Sequence, residues 1–224
     1  MWNGKTWRES TAPAEPLSNL DTISCLAPTA TTTYCTLGGL YLTSAGDFVW
    51  AEHFDGLHWS APVGLQPTTA NAHVQFFNGM SCTSTSCVGV GDSVNKSNHS
   101  SAFAEVLSNG KWSAKTITFQ SGQQDSLNDV SCASASYCIA VGGNGAFTTL
   151  TGGRAAFEIW NGSTWQLHVA PAPHTGHGND LLGVDCATSA YCVLTGTEGT
   201  VNTNTGEGLA GVLSNNTWTW KLVS

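Results

Sequence analysis

Polar residues that could bind a ligand are concentrated in loops of the sequence. Amide, imidazole and carboxylate groups supply the donors and acceptors that suit sugar hydroxyls, and loops on a rigid scaffold usually carry function. The candidate ligand-binding residues are Asn98, Gln123, His174, His177, Asp180 and Asn204. His174, His177 and Asp180 could also gather around a metal, but no helix sets the two imidazoles on one face. The sequence therefore predicts a polar ligand site without a metal or another cofactor.

A second set of polar residues is expected to face a central channel. Asp21, Asn78 and Asn128 each stand four residues before a cysteine, and Leu182 takes this position later in the chain. A glycosidase needs two carboxyl groups roughly 5–10 Å apart, and the candidates here are Asp21 and Asp129. Because Asp129 follows Asn128 directly in a strand, its side chain is expected on the opposite face. The pattern favours ligand binding, and no catalytic residue is assigned.

Other features of the sequence exclude several function classes. Glu52, Glu105 and Glu158 recur at one position of a later strand, which indicates a structural or solvent-facing role. No Gly-x-Ser-x-Gly elbow, phosphate loop or dinucleotide fingerprint is present. Acidic residues outnumber basic residues by 15 to 7, for a net charge of −8, and the basic residues do not cluster. We therefore expect neither nucleic acid nor an anionic membrane as a partner, and no membrane insertion.

The elements that position these residues are indicated by eight cysteines in four pairs. The first cysteines of successive pairs are 50 to 57 residues apart, a period typical of stacked supersecondary units. The spacing within pairs does not suit zinc, whereas an even count at a regular period predicts disulfides and an oxidising compartment. The predicted bridges join Cys25 to Cys35, Cys82 to Cys87, Cys132 to Cys138 and Cys186 to Cys192. A secreted protein is expected, represented here without its signal peptide as a mature form or a piece.

Each repeat reads as four short strands. In the third copy the predicted strands cover 127–132, 137–141, 155–160 and 164–169, and Asn161-Gly162 forms the turn between the last two. A tryptophan is expected to open the fourth strand of each unit and to pack between units. The tryptophans of this set are Trp7, Trp59, Trp112, Trp165 and Trp218. A four-stranded antiparallel unit of about 50 residues has the size and content of a propeller blade.

The repeat pattern resembles that of secreted bacterial β-propeller proteins, notably those of actinobacteria. The shared features are a Ser-Cys strand end, a second cysteine, a glycine stop and a Trp-Asn-Gly-x-x-Trp hairpin. The turn at 161–165 is also similar to the Asp-box turn of sialidase-like propellers, although it lacks the spacer before glycine. The resemblance implies a single all-β propeller domain over 1–224. Its complete blades would cover about 18–66, 73–120, 125–172 and 179–224, and 1–16 would form the outer hairpin of a half-blade.

The sequence as a whole predicts a secreted binding module. A lectin-like function is expected, in which loops of one propeller face bind a glycan or another cell-surface polymer. Two alternatives stay open at this point. The chain could be a structural or assembly subunit whose N-terminal hairpin is completed by a neighbouring chain, identical or different. It could also be a glycoside-processing enzyme that uses channel carboxylates.

Overall fold

The structure is a computed structural model that describes residues 6, 18–29, 32–65, 72–117, 124–144, 153–174, 177–199 and 206–223. These ranges contain sixteen β-strands. They include no helix long and apolar enough to cross a membrane. The hairpin predicted at 1–16 lies outside the described residues, apart from residue 6.

The strands form four consecutive antiparallel units, which we call blades 1 to 4. Blade 1 contains β1 (Ser18–Thr29), β2 (Thr32–Thr43), β3 (Gly46–Phe54) and β4 (Val63–Gly64). Blade 2 contains β5 (Ala72–Cys82), β6 (Ser86–Asn95), β7 (Ser100–Ser108) and β8 (Lys111–Lys115). Blade 3 contains β9 (Asp125–Ser134), β10 (Tyr137–Asn144), β11 (Arg154–Trp160) and β12 (Trp165–Val169). Blade 4 contains β13 (Gly178–Thr188), β14 (Tyr191–Gly199), β15 (Gly206–Ser214) and β16 (Thr217–Val223).

Each blade is a meander in which every strand pairs with the next one in sequence. The first strands of successive blades lie side by side, as β1 with β5, β5 with β9, and β9 with β13. The remaining strands of each blade therefore extend outward from this inner row. No comparable packing joins β13 to β1 among the described residues. This arrangement confirms the predicted all-β fold of four-stranded antiparallel blades.

All four predicted disulfides are present, and each joins the first two strands of one blade. The paired cysteines stand directly opposite each other in the strand register, as in Cys132 and Cys138. Their Cα atoms are 3.9 to 4.1 Å apart in the four bridges. Closing so short a loop stabilises the folded chain by about 2 kcal/mol per bridge in the chain-entropy account. Each bridge therefore fixes the inner hairpin of its own blade.

The outer hairpins of blades 2 and 4 use the turns predicted from Asn-Gly and Asn-Asn pairs, whereas in blade 3 only Gly162 of the predicted Asn161-Gly162 pair has a positive φ. Asn109 and Gly110 have φ values of 51° and 72°, and Asn215 and Asn216 have φ values of 50° and 61°. Two consecutive positive φ angles give a tight turn whose twist matches that of the flanking strands. Asparagine and glycine tolerate this region of backbone space better than other residues. The sequence pattern therefore specifies the connection between the third and fourth strands.

Successive blades are also joined by a side-chain hydrogen bond that we call the serine staple. The serine directly before the first cysteine of one blade accepts a hydrogen bond from the backbone N–H of the first cysteine in the next blade. The donor–acceptor distance is 2.9 to 3.0 Å for Cys82 to Ser24, Cys132 to Ser81 and Cys186 to Ser131. Asp185 occupies the serine position in blade 4 and is exposed. The recurring Ser-Cys pair thus links blades as well as strands.

The hydrophobic core lies between blades, not within any one of them. Three buried clusters fill the seams between blades 1 and 2, blades 2 and 3, and blades 3 and 4. At the last seam, Trp218 and Trp220 pack on Phe157 of the neighbouring blade, with ring centroids 5.0 and 6.1 Å apart. The predicted packing of a closing tryptophan between blades is therefore seen at this seam. Aromatic packing of this kind adds to the burial of apolar area.

Blade 1 departs from the predicted pattern in its fourth strand. The prediction that Trp59 opens this strand is wrong, because Trp59 pairs with Phe54 in an isolated bridge and the strand begins at Val63. Pro62 has no N–H to donate to the ladder, so strand pairing is interrupted before Val63. The short strand leaves a cavity of about 810 Å³ at the seam with blade 2.

The three repeated glutamates on third strands are buried, so a solvent-facing role for them is wrong. Glu52, Glu105 and Glu158 are 1%, 2% and 0% exposed. Glu52 and Glu105 lie at the seam between blades 1 and 2, and blade 3 is flanked by blades 2 and 4, so strand alternation gives no solvent side at this position. Burial raises the pKa of Glu105 to about 7, against the opposing effect of the Lys115 charge. Glu52 and Glu105 both line the cavity between blades 1 and 2.

We expect Ser131→Ala to destabilise the protein, because it leaves the N–H of the buried Cys186 without its acceptor. The expected decrease in the free energy of unfolding is about 1–2 kcal/mol. Urea denaturation with the disulfides intact would measure it. Ser136→Ala is the matched control, since the hydrogen bonds of this exposed serine within the described residues are to Ser134 in its own turn. Equal stability of the two variants would contradict a structural role for the staple.

We expect Glu105→Gln to change how stability depends on pH. Because the pKa of Glu105 is higher in the folded than in the unfolded chain, its contribution is favourable below about pH 4.5 and is lost as pH rises through 7. The wild type should therefore lose on the order of 2 kcal/mol relative to Glu105→Gln between pH 4.5 and pH 8. Denaturation at several pH values measures this difference. Parallel stability curves for the wild type and Glu105→Gln over this pH range would contradict the prediction.

Candidate functional site

Residues of all four blades, most of them on inner strands, line an open polar hollow that we call the axial depression. Its volume is about 720 Å³, and every blade contributes to its lining. The lining residues are Leu20, Asp21, Phe76, Phe77, Asn78, Asp92, Ser126, Asn128 and Leu182. The position four residues before the first cysteine of each blade is represented in this set by Asp21, Asn78, Asn128 and Leu182. A pocket of this size is in the range of small-molecule sites.

Asn78 joins blade 2 to blade 3 at the edge of the depression. Its side-chain Nδ2 donates to the backbone oxygen of Leu127 in β9 at 2.9 Å and to Asp92 Oδ1 at 2.9 Å. The Ser126 hydroxyl also donates to Asp92 Oδ1, at 3.4 Å. Burial raises the pKa of Asp92, and the bonds from Asn78 and Ser126 oppose that rise. One amide group therefore links two blades and orients a carboxylate.

Asn128 makes the equivalent bond to the backbone one blade further on, but its carboxylate partner belongs to the next blade. Its Nδ2 donates to the backbone oxygen of Leu181 at 2.7 Å and to the two Asp180 carboxylate oxygens at 3.2 and 3.3 Å. Burial raises the pKa of Asp180 to about 6, although the bonds from Asn128 and the Leu181 backbone lower it. Asp180 is thus held by the side-chain amide of Asn128 on the inner strand of blade 3. It is not positioned by the loop on which the sequence placed it.

Asp21 takes the position of Asn78 and Asn128 on blade 1. It accepts a hydrogen bond from the backbone of the next blade, whereas the two asparagines donate one. Its carboxylate accepts a hydrogen bond from the backbone N–H of Phe77, the residue that corresponds to Leu127 and Leu181 in the later blades. Burial raises the pKa of Asp21, and the Phe77 bond lowers it. Asp21 and Asp92 thus both contribute carboxylates to the wall of the depression. The structure brings together the channel residues that the sequence singled out.

Three apolar side chains at the depression remain open to solvent. Leu20, Phe76 and Leu182 are 59%, 38% and 43% exposed. The apolar side chains can pack against a flat apolar face of a ligand. The carboxylates and amides beside them can form hydrogen bonds with hydroxyl groups of the same ligand. The sequence analysis missed Phe76 and Asp92. Their positions depend on which strand face points inward, and a β-bulge between Phe77 and Gly79 changes that face.

The carboxylate that the sequence paired with Asp21 lies elsewhere. Asp129 is not among the residues that line the depression. Its Oδ1 accepts from the Val130 N–H at 2.8 Å, and its Oδ2 accepts from the Val184 N–H at 3.0 Å. The bond from Val184 connects β9 to β13, as the serine staple between Ser131 and Cys186 does. Asp129 therefore has a structural role, and it does not share the lining of the depression with Asp21.

A second polar group, which we call the histidine–glutamate cluster, lies where the linker before blade 4 meets β14 and β15. It consists of His174, His177, Glu198 and Glu207. The Nδ1 atoms of His174 and His177 are 3.4 and 3.7 Å from Glu198 Oε1, and His174 Nδ1 is 3.6 Å from Glu207 Oε2. The backbone N–H of His174 also donates to Glu198 Oε1 at 2.7 Å. One nitrogen or oxygen atom from each of His174, His177 and Glu198 lies within 4.8 Å of the others.

The sequence raised the possibility that Asp180 gathers with the two histidines, and the structure does not place it with them. Asn179 stands opposite Glu198 in the register of β13 and β14, so their side chains share one face of the blade. Asp180 is on the other face, because neighbouring residues of a strand alternate. Glu198 therefore takes the place that was expected for Asp180. The pairing of Asn179 with Glu198 follows from the strand register. A β-bulge between Leu181 and Gly183 makes that register hard to predict from the sequence.

Of the remaining predicted ligand residues, Asn98 is the one that the structure describes, and it belongs to neither site. Asn98 has a φ of 60° and shapes the turn between β6 and β7, where its N–H donates to the Asn95 oxygen at 2.9 Å. Its backbone oxygen accepts from Gln124 Nε2 at 3.3 Å. Gln123 and Asn204 lie outside the described residues. Whether they contact a ligand stays a prediction.

No protein-family model matches the chain, and no curated protein matches its sequence. Several solved structures are similar in fold. A neuraminidase-like protein of a flat-faced bat isolate has a TM-score of 0.56 and 14% identity, over 99% of this chain and 58% of its own. A protein of unknown function from Dyadobacter fermentans has a TM-score of 0.53 and 12% identity, over 99% of this chain and 70% of its own. Penicillium chrysogenum α-L-arabinanase, complexed with arabinobiose, has a TM-score of 0.53 and 8% identity, over 91% of this chain and 66% of its own.

These comparisons bear on the fold alone, because the sequence identities are low. The chain spans 58% of the neuraminidase-like protein and 66% of the arabinanase. Both are propeller-type structures. Together with the four antiparallel blades, whose first strands lie side by side, they show that this chain has a β-propeller fold.

Proposed function

We propose that the chain is a secreted glycan-binding propeller whose saccharide site is the axial depression. The observation that carries this proposal is the combination of polar and apolar groups in one hollow of about 720 Å³. Asp21 and Asp92 supply carboxylates, and the exposed Phe76 and Leu20 supply apolar surface beside them. Four disulfides support an oxidising, extracellular setting for this activity.

The chemistry of the depression suits a sugar ring. Hydroxyl groups donate hydrogen bonds to carboxylate oxygens, and such charge-assisted bonds are stronger than neutral ones. The apolar C–H face of a sugar packs on an aromatic ring, as Phe76 would allow at the rim. The amide of Asn78 already holds Asp92 in place, so this carboxylate needs little reorganisation on binding.

The similar structures support a saccharide as the ligand class, though not a particular sugar. The arabinanase was crystallised with arabinobiose, and a second similar structure is described as neuraminidase-like. Their identities of 8% and 14% do not transfer any residue to this chain. Binding is proposed in preference to glycoside hydrolysis, because Asp129 is engaged by two backbone N–H groups and lies outside the depression.

The proposal is tested by a glycan array followed by titration calorimetry with the best saccharide. We expect Phe76→Ala to weaken binding about tenfold, which corresponds to roughly 1.4 kcal/mol of lost contact. Asp92→Asn should also weaken it, because the charged acceptor is removed. Leu57→Ala is the matched control, since Leu57 is an apolar residue that is 81% exposed in an outer turn.

Two results would argue against this function. One is the absence of binding to any saccharide class on the array. The other is an affinity that Phe76→Ala leaves at the level of Leu57→Ala, because the sugar would then be bound elsewhere. Turnover of the same saccharides by the wild type, lost in both Asp21→Asn and Asp92→Asn, would replace binding with glycoside hydrolysis.

A further inference from the structure

We infer that the histidine–glutamate cluster binds a divalent transition-metal ion of the zinc type. The site is separate from the axial depression and does not depend on saccharide binding. Its ligands would be His174, His177 and Glu198, with Glu207 at the exposed side. Two imidazoles and one carboxylate are a donor set that zinc uses in proteins, with a fourth position left for water or another ligand.

The distances in the cluster suit a single ion. Two ligand atoms that are each 2.0–2.1 Å from a tetrahedral zinc ion are about 3.4 Å apart. Glu198 Oε1 lies 3.4 Å from His174 Nδ1 and 3.7 Å from His177 Nδ1. Glu207 Oε2 is 3.6 Å from His174 Nδ1, close to the same spacing. Small side-chain movements are therefore enough to bring the ligand atoms of His174, His177 and Glu198, which all lie within 4.8 Å of one another, into one coordination shell.

The burial of Glu198 is the second observation that points to a cation. Its side chain is 0% exposed, and its Oε2 atom has no hydrogen-bond partner in the described part of the chain. A buried carboxylate is costly unless it is paired with a positive charge or fully hydrogen-bonded. The ion-pair partners of Glu198 within the described residues are the two histidines. A neutral imidazole brings no charge, whereas a divalent ion held by both rings would neutralise Glu198.

The scaffold around the cluster holds the ligands in position. The Asn179 side chain donates to the Pro171 oxygen at 3.1 Å and accepts from the Ala155 N–H at 2.8 Å, which fixes the linker before blade 4. Glu198 and Glu207 are directly opposed in the register of β14 and β15. Metal ligands are commonly oriented by such outer contacts. An ion here would join this linker to the third and second strands of blade 4.

The experiment uses the full chain after treatment with a chelator and removal of the chelator. Zn²⁺ is titrated by calorimetry, and the melting temperature is measured with and without the ion. We expect one strong site per chain and a higher melting temperature with Zn²⁺, since an ion that binds the folded state stabilises it. Ca²⁺ should bind much more weakly, because it prefers oxygen ligands. Affinity should fall on acidification, because protons compete for the ligands.

His177→Ala should weaken Zn²⁺ binding by at least about 100-fold and abolish the thermal shift. His58→Ala is the matched control, because it removes an exposed imidazole from an outer turn of blade 1. Glu198→Gln, which keeps the side-chain shape and removes its charge, should weaken binding as well. The inference is overturned if wild-type protein shows no saturable site, or if His177→Ala and His58→Ala bind Zn²⁺ equally. Neither outcome affects the saccharide measurements on the axial depression.

Discussion

The architecture depends on hydrogen bonds from inner-strand side chains to the backbone of the next blade. Neighbouring inner strands lie side by side, and their backbone groups still need partners when they are buried. Ser24, Ser81 and Ser131 meet this need by accepting the N–H of the following blade's first cysteine. Each of these cysteines is also bridged to the second strand of its own blade. One dipeptide therefore fixes the fold within a blade and the position of the blade beside it.

Hydrogen bonds from inner-strand side chains to the next blade also shape the candidate saccharide site. Asn78 and Asn128 use their amides to hold the next blade, and the same amides hold Asp92 and Asp180. The carboxylates in and beside the depression are thus oriented by the contacts that assemble the fold. The histidine–glutamate cluster is built differently, from one linker and two strands of blade 4. Its geometry depends on a buried glutamate and not on the repeated inner layer.

The parts of the structure that follow local rules were predictable from the sequence. The disulfide pairs, the Asn-containing hairpins and the four-stranded repeat all depend on residues close together in the chain. Features that depend on register were not. Glu198 joins the histidines because it stands opposite Asn179, and β-bulges in the inner strands hide such pairings. The burial of Glu105 and the interrupted strand after Trp59 likewise follow from neighbouring blades and from Pro62, which no repeat pattern reveals.

The serine staple has a consequence for how such proteins can evolve. The serine hydroxyl and the cysteine N–H belong to adjacent residues of one repeat. Each repeat with a Ser-Cys pair therefore carries an acceptor for the next blade and a donor for the previous blade. Tandem duplication of one gene segment would copy a complete connector at both ends. Arrays of different length could therefore arise without new compensating mutations, and the loops would be free to diversify on an unchanged frame.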